Sequence, residues 1–174
     1  MAEIRTVAVI GAGVLGRGIA HAAALAGYRT ILQDILPSRL RKAEAELRKD
    51  AEGQTDTAAL ARLEYATTVE EAARQADLVI EAVPDELESK IEIFTLLDKI
   101  CKPETILVSN TFTLSITEIA SVTYRAQKCI GMRFTSRVQA MPRVELMRGR
   151  ETSEETVQAC AEVRRRILAA NQRE

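Results

Sequence analysis

The stretch Val7-Ala8-Val9-Ile10-Gly11-Ala12-Gly13-Val14-Leu15-Gly16 constrains this chain more than any other. Its four leading apolar residues, three of them β-branched, predict a strand buried on both faces. They run straight into Gly-x-Gly-x-x-Gly and then an Ala-rich helical segment. In that geometry Gly11 allows the tight turn off the strand, and Gly13 lets a diphosphate approach the backbone with no Cβ in the way. Gly16 lets the helix pack close to the strand. The helix N-terminus offers unpaired N–H groups and the positive end of its dipole to an anion. Gly11, Ala12, Gly13, Val14, Leu15 and Gly16 are therefore the expected phosphate-binding loop. The pattern alone is weak, and its context strengthens it. Tyr28–Asp34 supplies a second strand ending in an acid, about twenty residues on, where ribose hydroxyls would sit. Asp34 favours NAD over NADP, because a carboxylate repels a 2′-phosphate.

The remainder of the chain alternates strands and helices. A helix over 14–26 is ended by Gly27 as its C′ residue, and carries His21, the protein's one histidine. His21 reads as an exposed or packed helix residue, beyond the pyrophosphate end. Leu40, Ala43 and Leu47 recur at helical spacing between Pro37 and Ala51. Residues 52–57 form the most loop-like segment, and 58–63 a short helical turn. Strands are expected at 64–67, 78–83, 106–109 and 128–132, with a further one over 143–147. Helices are expected at 69–75, from Leu87 to before Pro103 on an apolar stripe of Ile91, Phe94, Leu97 and Cys101, at 116–122, and after a cap at Thr152 or Ser153. This alternation predicts an α/β fold: a parallel, doubly wound Rossmann sheet as one domain over residues 1–174.

A net charge of −1 gives no electrostatic case for nucleic acid or an anionic membrane. No signal region or membrane-spanning run is evident, so a cytoplasmic chain is expected. Cys101, Cys129 and Cys160 lie far apart without a second ligand type at metal spacing, and read as free thiols in a reducing compartment.

Ala76-Asp77-Leu78-Val79-Ile80-Glu81-Ala82-Val83-Pro84-Asp85, Ser109-Asn110-Thr111 with Leu114-Ser115-Ile116-Thr117, Ile130-Gly131-Met132, and Val144-Glu145-Leu146 ahead of Arg148-Gly149 occur in this order. Together they resemble the NAD-binding domain of the L-3-hydroxyacyl-CoA dehydrogenases. The resemblance covers nearly all of residues 4–157, with a region between Asp34 and Glu64 that looks short for the family. It implies NAD as cofactor, with Asp34, Ala82, Asp85, Lys90 and Asn110 helping to hold it. Asp85 stands where the family more often has glutamate. It also implies an acyl-CoA or a hydroxy or keto acid as possible substrate, and a homo-oligomer. In the family a helical domain follows and completes the acyl-CoA cleft, whereas this sequence ends at Glu174.

The catalytic positions depart from the resemblance. The family's proton-accepting histidine matches Arg133, while the glutamate that orients it matches Glu145. The serine near the substrate oxygen matches Phe112, and the asparagine near the nicotinamide matches Ser136. Guanidinium has only donors and stays charged, so Arg133 cannot take a proton as imidazole does. Three readings remain open. In the first, NAD binding persists without ordinary dehydrogenation, and Arg133 pairs with Glu145. In the second, Arg133, Arg137 and Arg143 hold an anionic substrate, with proton transfer through water, Glu145 or a tyrosine such as Tyr124. In the third, the chain is an oligomerising interaction module, with Val157, Cys160, Val163 and Ile167 of the last helix as a contact face.

Overall fold

The computed structural model describes residues 3–52, 57–135 and 143–172. Its strands are β1 (Thr6–Ile10), β2 (Arg29–Gln33), β3 (Leu63–Ala66), β4 (Leu78–Glu81), β5 (Ile106–Ser109), β6 (Cys129–Phe134) and β7 (Val144–Arg148). Its α-helices are α1 (Val14–Leu25), α2 (Pro37–Glu52), α3 (Thr57–Leu60), α4 (Val69–Ala73), α5 (Leu87–Ile100), α6 (Ile116–Ala120) and α7 (Glu154–Ala170). The expected loop over 52–57 lies mostly outside the described residues.

The strands form one sheet in the order β3-β2-β1-β4-β5-β6-β7. The order reverses beside β1, so the carboxyl ends of β1 and β4 open the crevice in which doubly wound folds place their ligands. Every pairing from β3 to β6 is parallel, whereas β7 runs antiparallel to β6. That last strand departs from the all-parallel expectation for a geometric reason. The link from Thr135 to Arg143 is shorter than the dozen or so residues that a parallel crossover needs.

The alternating side chains of the buried strands build two cores. Val7, Val9, Leu78, Ile80 and Val108 face a layer that includes α1, α2 and α7, while Ala8, Ile10, Val79 and Leu107 face α4, α5 and α6. Cys160, Val163 and Ile167 of α7 are fully or almost fully buried against the first layer. The stripe that could have served as an oligomer contact is therefore core packing.

Local chemistry fixes the helix ends. The hydroxyls of Thr68, Ser115 and Ser153 accept the N–H groups of Glu71, Glu118 and Thr156, capping α4, α6 and α7. Thr152, the alternative cap for α7, instead donates to the Cys129 carbonyl at 2.7 Å. At the C-terminus of α1, Gly27 takes φ +94°, the Gly27 N–H reaches Ala24 O at 3.0 Å and the Tyr28 N–H reaches Ala23 O at 3.2 Å. This is the Schellman closure that only a residue at ease with positive φ makes cheaply. α1 has no basic residue in its own last turn. Two distant arginines supply the charge: Arg62 donates to Ala24 O at 3.1 Å, and Arg166 donates to Ala26 O at 3.2 Å while stacking over the Tyr28 ring.

The opposite end of the sheet is tied by charge. Asp77 accepts the backbone N–H groups of Arg5 and Thr6, both at 2.9 Å, and Lys102 Nζ at 2.7 Å. Burial alone would raise its pKa, but these donors outweigh that and hold it below the ordinary aspartate range. A carboxylate with a depressed folded-state pKa contributes stability that is complete above its unfolded pKa and is lost as pH falls through the folded one. We therefore expect the gap in melting temperature between wild type and Asp77→Asn to be largest near neutrality. It should narrow as pH drops below about 4, and a gap that stays constant from pH 7 to pH 3 would contradict the assignment. Arg125 makes a second buried clamp there, donating to Asp98 Oδ1 at 2.7 Å and to the carbonyls of Asp98, Cys101, Lys102 and Thr105 around the end of α5.

Candidate functional site

The turn between β1 and α1 shows why its residues are glycines. Gly11 takes φ +101°, and a Cβ there would sit 3.0 Å from the Ala82 carbonyl oxygen. A Cβ on Gly16 would lie 1.8 Å from the Gly11 carbonyl oxygen, which no side chain can do. Gly13 differs: a Cβ there would meet nothing within 4 Å. Its lack of a side chain leaves room for something other than protein. Gly13 also caps α1 with no side-chain acceptor, so the first N–H groups of the helix keep their capacity for an outside anion. A diphosphate fits this arrangement in space and in charge, and Gly11, Ala12, Gly13, Val14, Leu15 and Gly16 would hold it.

Asp34 follows β2 directly and lies beside this turn. Its Oδ2 accepts the Ala12 N–H at 3.0 Å, and its Oδ1 accepts the Leu36 N–H at 3.0 Å. The carboxylate thus locks the glycine turn to the β2–α2 connection and is almost fully buried. A carboxylate offers about four acceptor positions, so capacity for a ribose diol remains after these two bonds.

Across the crevice, four polar residues are interlocked beneath the loops. Lys90 is fully buried, with Nζ 2.6 Å from Glu81 Oε1, 3.0 Å from Asn110 O and 3.3 Å from Val83 O. Glu81 also accepts the Ser109 hydroxyl at 2.8 Å and the Val83 N–H at 2.8 Å. Asn110 Oδ1 accepts the Phe134 N–H at 3.0 Å, joining the ends of β5 and β6. Asp85 bridges to the next loop, accepting the Thr111 hydroxyl at 2.5 Å and the Phe112 N–H at 3.1 Å. Those donors, with Lys90 3.8 Å away, overcome partial burial and lower the Asp85 pKa. The Lys90 ammonium is enclosed and its three donor positions are taken by protein acceptors. It positions Glu81, Asn110 and Asp85. Ala82 lies on the glycine turn itself, with its Cβ 3.6 Å from where a Gly16 Cβ would be.

Arg133 and Glu145 face one another across the β6–β7 pair, in direct register. Arg133 Nη1 lies 3.2 Å from Glu145 Oε2. Its Nη2 donates to the Phe112 carbonyl at 3.0 Å, and the guanidinium sits 5.7 Å from the Phe112 ring. One cation thus joins two strands and the β5–α6 loop. Ser136 and Arg137 lie outside the described residues. Tyr124 is almost fully exposed at the far end of the sheet, its N–H bonded to Asp98 at the end of α5, and it does not enter this site. His21 is buried on α1, away from Arg133 and Glu145. The three cysteines are buried free thiols, with burial pushing Cys101 and Cys129 up to about 11 and Cys160 up to about 12. Among the described residues no His, Cys, Asp and Glu cluster could hold a metal ion, and no helix is long and apolar enough to cross a membrane.

Residues 6–170 match the family model for the NAD-binding domain of 3-hydroxyacyl-CoA dehydrogenase. The chain belongs to this family. Its cofactor is NAD. It is 45% identical to a probable 3-hydroxybutyryl-CoA dehydrogenase of Bacillus subtilis over 163 residues, 88% of this chain and 56% of that protein. It is 36% identical to 3-hydroxyadipyl-CoA dehydrogenase of Escherichia coli, covering 94% of this chain and 36% of the other. The solved (S)-3-hydroxybutyryl-CoA dehydrogenase of Ralstonia eutropha superposes with a TM-score of 0.90 at 34% identity, over 95% of this chain and 62% of that one. The chain therefore spans about three-fifths of the length of the two 3-hydroxybutyryl-CoA dehydrogenases. In this dehydrogenase-family domain, Phe112 and Arg133 are bound to each other, with Glu145 beside them.

Proposed function

We propose that this chain is an NAD(H)-binding domain that does not carry out ordinary 3-hydroxyacyl-CoA dehydrogenation by itself. The observation that carries the reading is the Arg133–Glu145 ion pair at the place where the family's resemblance puts a proton acceptor and its orienting glutamate. A guanidinium holds the same charge throughout the working pH range and offers no acceptor, so it cannot cycle a proton. The glycine turn, by contrast, keeps every feature that a diphosphate requires. Arg133 supplies attraction to Glu145 and fastens Phe112, which suits a role in holding the loop rather than in proton transfer.

A second reading is an NAD-dependent oxidoreductase acting on a 3-hydroxyacyl-CoA or a related hydroxy or keto acid through a changed site. It is favoured by the names of the relatives, which are dehydrogenases of such thioesters. Glu145, with more than half of its side chain exposed, would then be the group available to exchange a proton with water.

The two separate in a single set of measurements. Titration calorimetry with NADH should show saturable binding, and absorbance at the reduced-nicotinamide band should stay flat on adding acetoacetyl-CoA or a panel of keto acids. Steady NADH consumption with any of them would favour the second reading, and its loss in Arg133→Gln would put Arg133 in the mechanism. Absence of both heat and thermal stabilisation at millimolar NADH would remove both readings.

A further inference from the structure

We propose that Arg39 opens the site to a dinucleotide phosphorylated on its adenosine 2′-hydroxyl, so that the chain binds NADP(H) as well as NAD(H); the proposal rests on the NAD-binding reading above. An acid at the end of the second strand ordinarily forbids this. It accepts the ribose 2′-hydroxyl and repels a phosphate in the same place. In this chain that carboxylate does not stand alone. Arg39, in the first turn of α2, brings Nη1 to 3.7 Å from Asp34 Oδ2.

That contact aims the guanidinium. Asp34 is held from within the fold by the N–H groups of Ala12 and Leu36, and only 5% of its side chain is exposed. Arg39 is 61% exposed, so it reaches this buried carboxylate from the solvent side. Its backbone is tied to the same short turn, since the Arg39 N–H bonds to Leu36 O at 3.0 Å. At 3.7 Å the two charges attract without a hydrogen bond. Among the described residues the guanidinium has no other charged partner, and the first turn of α2 holds no acid to draw it away. Its donors remain for an outside oxygen. A 2′-phosphate beside Asp34 would face the Arg39 cation as well as the Asp34 anion, and the two charges offset one another. The guanidinium adds two parallel donors that match a phosphate. NAD(H) is still accommodated, because Asp34 keeps acceptor capacity for the unmodified diol.

The test titrates wild type, Arg39→Gln and Arg39→Lys with NADH and with NADPH, which differ only in the 2′-phosphate. Wild type should bind NADPH within about tenfold of NADH. Arg39→Gln should weaken NADPH by about tenfold or more and leave NADH within about twofold of wild type. Arg39→Lys should keep part of the NADPH affinity, because it retains the charge without the paired donors. Added salt should weaken NADPH binding more steeply in wild type than in Arg39→Gln. Wild-type protein that binds NADH but not millimolar NADPH would overturn the proposal and leave NAD binding intact. So would unchanged NADPH affinity in Arg39→Gln, or an equal loss for both dinucleotides, which marks a contribution unrelated to the 2′-phosphate. Wild-type protein that binds neither would overturn the cofactor reading and this proposal with it.

Discussion

Gly13→Ala should leave the ligand-free protein as stable as wild type and weaken NADH binding by about 10- to 100-fold. The backbone at Gly13 has φ −66° and ψ −176°, a conformation open to alanine. The added methyl meets no protein atom within 4 Å, so unfolding in urea should shift by no more than about 0.5 kcal/mol. What the methyl occupies is the space kept clear for a phosphate. Gly16→Ala makes the contrasting case, because its methyl would sit 1.8 Å from the Gly11 carbonyl oxygen. That variant should fail to reach the native fold, whatever ligand is present. If Gly13→Ala bound NADH as wild type does, the diphosphate would have to lie elsewhere.

Lys90→Met should cost roughly 3–5 kcal/mol of folding stability, because it leaves the Glu81 carboxylate buried with no cation. Glu81 and Lys90 are both fully enclosed, and burial already pushes the Glu81 carboxyl above its usual range despite the ammonium 2.6 Å away. In the variant that upward push loses its main opponent. A carboxyl whose folded-state pKa is raised contributes stability at low pH that is lost as pH rises through that value. The Lys90→Met defect should accordingly shrink on acidification toward about pH 5, in the same direction as the Asp77→Asn gap, although there the native carboxylate is the stabilised form and here it is the disfavoured one. Combining it with Glu81→Gln should recover much of the loss, since no buried charge remains. Urea unfolding of the three variants at two pH values checks this, and a Lys90→Met defect under about 1 kcal/mol would show that the pair is dispensable.

These two sites also mark what was readable in the residues and what was not. The glycine turn was legible because each glycine answers a local steric demand, and Gly11 and Gly16 meet those demands in the structure. The pairing of Arg133 with Glu145 is legible through the resemblance, which matches them to a paired histidine and glutamate, and their register across β6 and β7 gives it a geometric basis. The buried Glu81–Lys90 pair is not legible from apolar spacing, which points to Ile91, Phe94 and Leu97 for the inner face of α5. In the structure Lys90, and not Ile91, is buried in phase with Phe94 and Leu97. The clue lay in Leu78-Val79-Ile80-Glu81, since an acid inside an otherwise apolar strand requires a cation nearby. Arg125 gave no such clue: its five hydrogen bonds come from segments that only the tertiary fold assembles. The antiparallel β7 was hidden for a similar reason, because loop length rather than strand composition decides its direction.

The attachment of Arg166 to the end of the first helix couples the two extremes of the polypeptide. α7 contributes a guanidinium to the rear of the very helix whose front receives the cofactor. α7 and the nucleotide crevice therefore bear on opposite ends of the same helix, so the seating of α7 helps to fix the position of the glycine turn.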